Sequence, residues 1–162
     1  MAMIRHCEQQ NVLDLHAQAC DNSVVDNVSR EIRSRMMSSI RAANTKLEQY
    51  VRKSLFRLGY RYRCNSADLP GRPDIKLRKC KAVLLVYGCY WHGHLCRYFR
   101  VPTSNADFWQ TKISKNRQRD LGDVGALLAG GWRICIIWEC AVRLDEKTGN
   151  KKVLVGILEG WL

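Results

Sequence analysis

Eight consecutive residues, Cys89-Tyr-Trp-His92-Gly-His94-Leu-Cys96, carry four side chains able to bind a soft or borderline metal ion, and they hold two of the chain's four histidines. Tetrahedral zinc requires four deprotonated sulfur or nitrogen donors, and a compact loop can supply three while a fourth arrives from a distant strand. Cys140, closing the run WRICIIWEC, is placed to be that fourth donor. Taking Cys89, His94, Cys96 and Cys140 as ligands of a structural zinc leaves His92 with a free imidazole that can do chemistry. The competing reading of the cluster is buried thiols and surface histidines without metal. For Cys7, Cys20, Cys64, Cys80 and Cys135, packing as small hydrophobes suffices.

Hydrolysis of a phosphodiester needs a hard cation held by oxygen ligands and a positioned base to activate water. Asp74, Glu48, Asp120 and Glu139 are the candidate carboxylates. Asp74 follows Gly71-Arg72-Pro73 at a strand start in a basic region, a suitable placement for a cation ligand, although Pro-Asp is also ordinary turn chemistry. Glu48 could complete the outer shell of that cation or simply be a solvated helix-face residue. Asp120, on a basic helix, could hydrogen-bond a catalytic imidazole and set its tautomer, or else pair with Arg117 along its own helix.

The elements that position these groups follow from periodicity. Residues 1–24 show no sustained period and read as an N-terminal extension, possible to separate from a domain over 25–162. From Val28 to about Leu58 the pattern is helical with a break near Ala42 to Asn44, and Leu47, Val51, Leu55 and Leu58 recur on one face. Asn44 or Thr45 caps the second helix, which places Glu48 in its first turn. YRYRC after Gly59 alternates as a strand, LPGRPD is a turn, and IKLRKCKAVLLVYG reads as a hairpin whose second strand, AVLLV, is buried on both faces. Residues 106–129 read as a helix ended by Gly130 and Gly131, WRICIIWEC as a further apolar strand, and Val153 to Leu162 as a short terminal helix. The expected fold is α/β, a mixed central sheet flanked by helices.

Composition bounds the partners. A chain of 162 residues, 46% of them hydrophobic, suits one domain with one sizeable core. The 27 Lys and Arg against 15 Asp and Glu give a net charge of +12, which suits nucleic acid or an anionic membrane surface. No apolar run reaches the roughly 18 residues that span a bilayer, and the N-terminus lacks signal-peptide features, so a soluble, intracellular protein is expected. In that compartment the eight cysteines argue for metal plus spare thiols rather than disulfides.

Four segments in order, LPGRPD (69–74), GCYWHGHLC (88–96), FWQTKISKNRQRD (108–120) and GWRICIIWEC (131–140), resemble the very short patch repair (Vsr) endonucleases, with the match running from about Val25 to Val142. The resemblance implies a fold like that of type II restriction endonucleases, a structural zinc, a magnesium-dependent active site, and nicking on the 5′ side of the thymine in a T:G mismatch produced by deamination of 5-methylcytosine. It makes Asp74 the magnesium ligand, His92 the general base, Asp120 its supporting acid and Glu48 the helix glutamate near the metal, and it assigns zinc to Cys89, His94, Cys96 and Cys140. Val86 stands where the backbone carbonyl reaches magnesium. Tyr90, Trp91 and Trp109 match aromatic wedges that enter the base stack, Met37 matches a residue entering from the other groove, and Lys112 and Asn116 match positions that could read the T:G pair; without the resemblance, Trp91 and Trp109 would read as core or rim aromatics. The implied setting is a bacterial cytoplasmic, nucleoid-associated monomer acting on double-stranded DNA, with a cytosine methyltransferase as functional companion and mismatch-repair proteins as possible partners.

One position departs from the family: Tyr87 stands where members generally carry a second histidine or an acidic residue. A phenol cannot serve as a cationic acid or a carboxylate ligand at neutral pH, though its hydroxyl can donate a hydrogen bond. Two other functions therefore compete with the nicking enzyme. A mismatch-binding protein with impaired cleavage would follow from Tyr87. A zinc-dependent RNA-binding protein would explain charge and cysteines but leaves Asp74, Glu48 and Asp120 without a joint role.

Overall fold

The computed structural model describes residues 43–103, 105–149 and 152–162, together with Ser29, Glu31, Ile32, Arg35 and Ser38. The expected N-terminal extension and Met37 lie outside the described residues. Helix α1 (Lys46–Arg57) begins at a reciprocal capping box in which Glu48 N–H donates to Thr45 Oγ1 and Thr45 N–H donates to Glu48 Oε1. Val51 and Leu55, four residues apart, are fully buried, so this helix docks through the face that periodicity indicates.

Four strands follow: β1 (Arg63–Cys64), β2 (Ile75–Leu77), β3 (Ala82–Tyr87) and, after helix α2 (Ala106–Ala129), β4 (Arg133–Trp138). They pair in the order β1-β2-β3-β4, antiparallel except for the parallel β3–β4 pair, and the sheet is mixed with helices against it. The parallel step needs a long crossover, which α2 and the loop before it provide. AVLLV lies within β3 and is almost entirely buried, with Leu84 beside Ile75 and Cys135 in register. Ile75, Leu77, Leu84, Ile137, Val142, Leu154 and Leu158 join Val51 and Leu55 in one apolar cluster.

Two sequence expectations need correction. YRYRC forms a ladder only at Arg63 and Cys64; in this register Arg61 and Tyr60 would face residues 78 and 79, which already belong to the turn before β3. WRICIIWEC does not continue as strand to Cys140; β4 ends at Trp138 and helix α3 (Glu139–Thr148) starts on the next residue. No Gly or Pro marks that switch. Helix α3 ends at Gly149, whose φ of 64° is the left-handed conformation that closes a helix. Helix α4 (Lys152–Trp161) then completes the chain. No helix among the described residues is long and apolar enough to cross a membrane.

The α3–α4 joint rests on Asp145, a fully buried acid. Its Oδ1 accepts from the N–H groups of Val153 and Leu154 at 3.0 and 3.4 Å, and its Oδ2 accepts from the Tyr50 hydroxyl at 3.1 Å. The carboxylate thereby caps α4 and ties it to α1. An Asp145→Ala variant orphans three donors in a dry environment and is expected to lose about 3 kcal/mol in urea melts.

Candidate active site and metal centre

Because β3 and β4 are parallel, their carboxyl ends lie side by side, with Tyr87 opposite Trp138. The carboxyl ends of parallel strands are where open α/β sheets place ligands. Strand β2 runs the other way, so its start reaches the same edge and delivers Asp74. The Val86 N–H donates to Asp74 Oδ2 at 2.7 Å. Burial is the main cause that pushes the Asp74 carboxyl up to about 6, and the nearby charge of Glu48 adds to it. The preceding turn fits only because residue 71 is glycine: its φ is +66° and a Cβ there would lie 2.8 Å from Asp123 on α2.

The loop after β3 carries His92. Its Nδ1 lies 2.6 Å from Asp120 Oδ2, and since a carboxylate only accepts, Nδ1 carries the proton. The imidazole stacks flat on the Tyr87 ring, with centroids 3.9 Å apart and planes 2° from parallel. Tyr87 is itself only 9% exposed. Burial first, and then the charges of Asp120, Asp123 and Asp74, push its phenol well above the usual range, so three carboxylates converge on this ring. Gly93 lets α2 close over the loop. Its φ is +63°, and a Cβ would sit 3.0 Å from Ile113 and 3.1 Å from Arg117.

Cys89, His94 and Cys96 come from the same loop and Cys140 from the first turn of α3, directly after β4. Their donor atoms all lie within 4.8 Å of one another. His94 Nδ1 is 3.5 Å from Cys89 Sγ and 3.6 Å from Cys140 Sγ. A tetrahedron with metal–sulfur bonds near 2.3 Å and metal–nitrogen bonds near 2.0 Å places its donors roughly 3.5 to 3.8 Å apart, which the two His94–thiol distances match, so the donor set fits a metal ion. Burial pushes the Cys89 and Cys140 thiols up and the His94 imidazole down, which disfavours charge on all three unless a cation shares the site. Glu139 supports the cluster: its Oε2 accepts from the Cys89 N–H at 3.1 Å and its Oε1 from Arg143.

Glu48 is placed differently from the other carboxylates. It is 3% exposed, and its oxygens accept from Thr45 N–H, Thr45 hydroxyl, Asn44 N–H and Arg52 Nη2, at 3.2, 2.9, 3.0 and 2.7 Å. Four donors occupy the acceptor capacity of one carboxylate. Glu48 thus caps α1 and acts on Asp74 through its charge, with Arg52 countering it. Sequence reasoning missed Arg52, Asp123 and Trp138 at this edge, since an Arg four residues after a Glu and an Asp three residues after another read as helix surface.

The third part of the site is aromatic and basic. Tyr90, Trp91, Trp109 and Phe108 form a chain of edge-to-face contacts between 5.1 and 6.2 Å. Lys112 Nζ sits over the rings of Trp91, Trp109 and Phe108 at 5.3, 5.4 and 5.9 Å. Trp109 is 7% exposed and Phe108 58%. Asn116 Nδ2 donates to the Trp91 carbonyl at 3.0 Å, and its Oδ1 accepts from Arg119. Phe108, Lys112, Lys115, Asn116 and Arg119 line an open groove of about 630 Å³ along α2. A cationic groove with exposed ring surface is the chemistry that binds phosphate and base together.

Residues 25–98 match the family model of the DNA mismatch endonuclease Vsr. The chain is 37% identical over 139 residues to the DNA mismatch endonuclease Vsr of Escherichia coli strain K12, covering 86% of this chain and 88% of that protein. The chain belongs to the Vsr family. It is also 44% identical over 117 residues to the type II nicking enzyme V.XorIIP of Xanthomonas oryzae, covering 72% of this chain and 86% of that protein. The corresponding figures for the type II nicking enzyme V.NmeAIP of Neisseria meningitidis are 43% over 111 residues, 68% and 79%. As a member of the Vsr family the protein is a DNA endonuclease, a phosphodiester hydrolase of mismatch repair.

Proposed function

We propose that this Vsr-family enzyme nicks double-stranded DNA on the 5′ side of the thymine in a T:G mismatch left by deamination of 5-methylcytosine, and so starts very short patch repair. The observation that carries the reading is the hydrogen-bonded pair of His92 and Asp120, at 2.6 Å, on the same sheet edge as the half-buried Asp74. Donation from Nδ1 to Asp120 leaves Nε2 as a proton acceptor, so His92 can take the proton of a water attacking phosphorus. Asp74 and the Val86 carbonyl would hold magnesium, with Glu48 contributing charge from outside. When bound, that ion supplies charge neutralisation at the phosphate and acidifies water. The cluster of Cys89, His94, Cys96 and Cys140 would hold a structural zinc, and the sheet with its helices belongs to a type II restriction-endonuclease-like fold over residues 25–162.

Tyr90, Trp91 and Trp109 supply the wedges from one groove, Met37 from the other. Opening a base step costs a few kcal/mol and least at a mismatch, so the wedges select as well as grip. Lys112 and Asn116, one helical turn apart, read the exposed edges of the T:G pair. A monomer acting in the bacterial cytoplasm behind a cytosine methyltransferase, alongside mismatch-repair proteins, is the corresponding biological setting.

The test is a labelled duplex with one T:G mismatch beside its fully paired control, each incubated with magnesium and with EDTA. A magnesium-dependent nick 5′ to the mismatched thymine is the expected product; equal treatment of both duplexes would refute the specificity. Burial keeps the Tyr87 phenol neutral, so it supplies neither a cationic acid nor a carboxylate at this position, and that favours a second reading, a mismatch binder with impaired cleavage. A Tyr87→His variant is expected to nick at least about tenfold faster than the parent at unchanged mismatch affinity, within the range general acid–base groups provide. No acceleration would show that Tyr87 imposes no penalty.

A further inference from the structure

Four rings form an unbroken row across the sheet edge. His94 stacks on Trp138 with centroids 4.2 Å apart and planes 12° from parallel. Trp138 meets Tyr87 edge to face at 5.5 Å and 68°, and Tyr87 stacks on His92. Both histidines come from the loop after β3, which contains no helix or strand. Tyr87 and Trp138, in contrast, are the last residues of paired strands, opposite each other in register, so their backbones are fixed by the sheet.

A histidine held only at Nδ1 can still pivot about that hydrogen bond. A flat ring contact removes the pivot by fixing the plane in which Nε2 points. Tyr87 supplies that contact, and Trp138 in turn supports the edge of Tyr87 while its own position is shared with a ring of the metal cluster. We propose that Trp138 is a positioning residue for the nicking reaction, holding His92 in its productive orientation through Tyr87 and coupling it to the order of the Cys89–His94–Cys96–Cys140 centre. The proposal rests on His92 being the base. Each ring pair is worth roughly a two- to tenfold bias in orientation, and a displacement near 1 Å at a reacting group costs on the order of 100-fold in rate.

The test uses the full chain loaded with zinc. The Nδ1 proton of His92, held 2.6 Å from a carboxylate oxygen, is expected as a downfield proton resonance, assigned by its loss in His92→Ala. Trp138→Leu is expected to keep one zinc and mismatch affinity within about twofold, to nick about 10- to 100-fold slower in single turnover, and to broaden or lose the His92 resonance, with Trp138→Phe restoring most of both. Parental rate and resonance in Trp138→Leu would overturn the proposal. Should Trp138→Leu lose its metal or its fold, Tyr87→Leu breaks the same row without touching His94, and an unchanged His92 resonance there overturns it equally. Parental nicking by His92→Ala would instead refute the base assignment, an outcome distinct from a silent Trp138→Leu.

Discussion

Replacing Cys140 with serine is expected to abolish stoichiometric zinc and to lower the melting temperature by on the order of 20 °C. The size follows from what the cluster joins. The segment from Gly88 to Cys96 has no regular structure, and a few backbone bonds, such as His94 N–H to the Cys89 carbonyl at 3.0 Å, organise it internally. Cys140 ties this loop to the start of α3. Structural zinc contributes apparent free energies of about 10 to 16 kcal/mol in small domains, against a net stability of about 5 to 15 kcal/mol for a typical fold. Cys64→Ser removes an exposed thiol outside the cluster and is expected to leave both metal content and melting temperature near parental values. A Cys140→Ser protein that keeps its metal and melts with the parent would remove the cluster from the account of stability.

Asp74→Asn is expected to cut nicking by on the order of 1,000-fold or more while making the magnesium-free protein more stable at neutral pH. Loss of the proposed magnesium ligand removes several kcal/mol of charge stabilisation at the phosphate. The gain in stability comes from burial. With the folded carboxyl raised to about 6 from an ordinary 3.8, stability is fully present below the unfolded value and declines as pH rises through the folded one. Above about pH 7 the charged group then costs on the order of 2 kcal/mol, allowing for its partial solvation. Asparagine carries no charge and retains an oxygen to accept the Val86 N–H. Thermal melts of the zinc-loaded protein without magnesium, at pH 4.5 and pH 7.5, check the sign: the advantage of Asp74→Asn is expected in full at the higher pH and cut to about a third at the lower. Added magnesium should then raise the melting temperature of the parent and leave the variant unmoved. A parent that melts at the same temperature as Asp74→Asn at both pH values would show that the buried charge is not destabilising.

The sequence by itself determined the features that depend on neighbours along the chain. The Thr45–Glu48 spacing set the start of α1, the four-residue recurrence of Val51 and Leu55 set its buried face, Gly130 closed α2, and the apolar run at 82–86 marked the central strand. Three donors of the metal cluster lie within eight residues, so they too were visible without a fold. Tertiary structure decided what depends on residues distant in sequence. The parallel register of β3 and β4 placed Trp138 against Tyr87 and brought Cys140 within reach of His94. The switch from β4 to α3 is not marked by a breaker residue, and the helix that follows buries Val142 and Asp145 against segments distant in sequence. Glu48 shows the same limit. Its first-turn position was evident from spacing, but whether its oxygens face a cation or a capping box depends on where Asn44 and Arg52 sit, and hydrogen-bond saturation is a property of three-dimensional neighbours. Local propensity acts within a few residues of the chain, whereas burial, register and electrostatic convergence act between segments that only folding brings together.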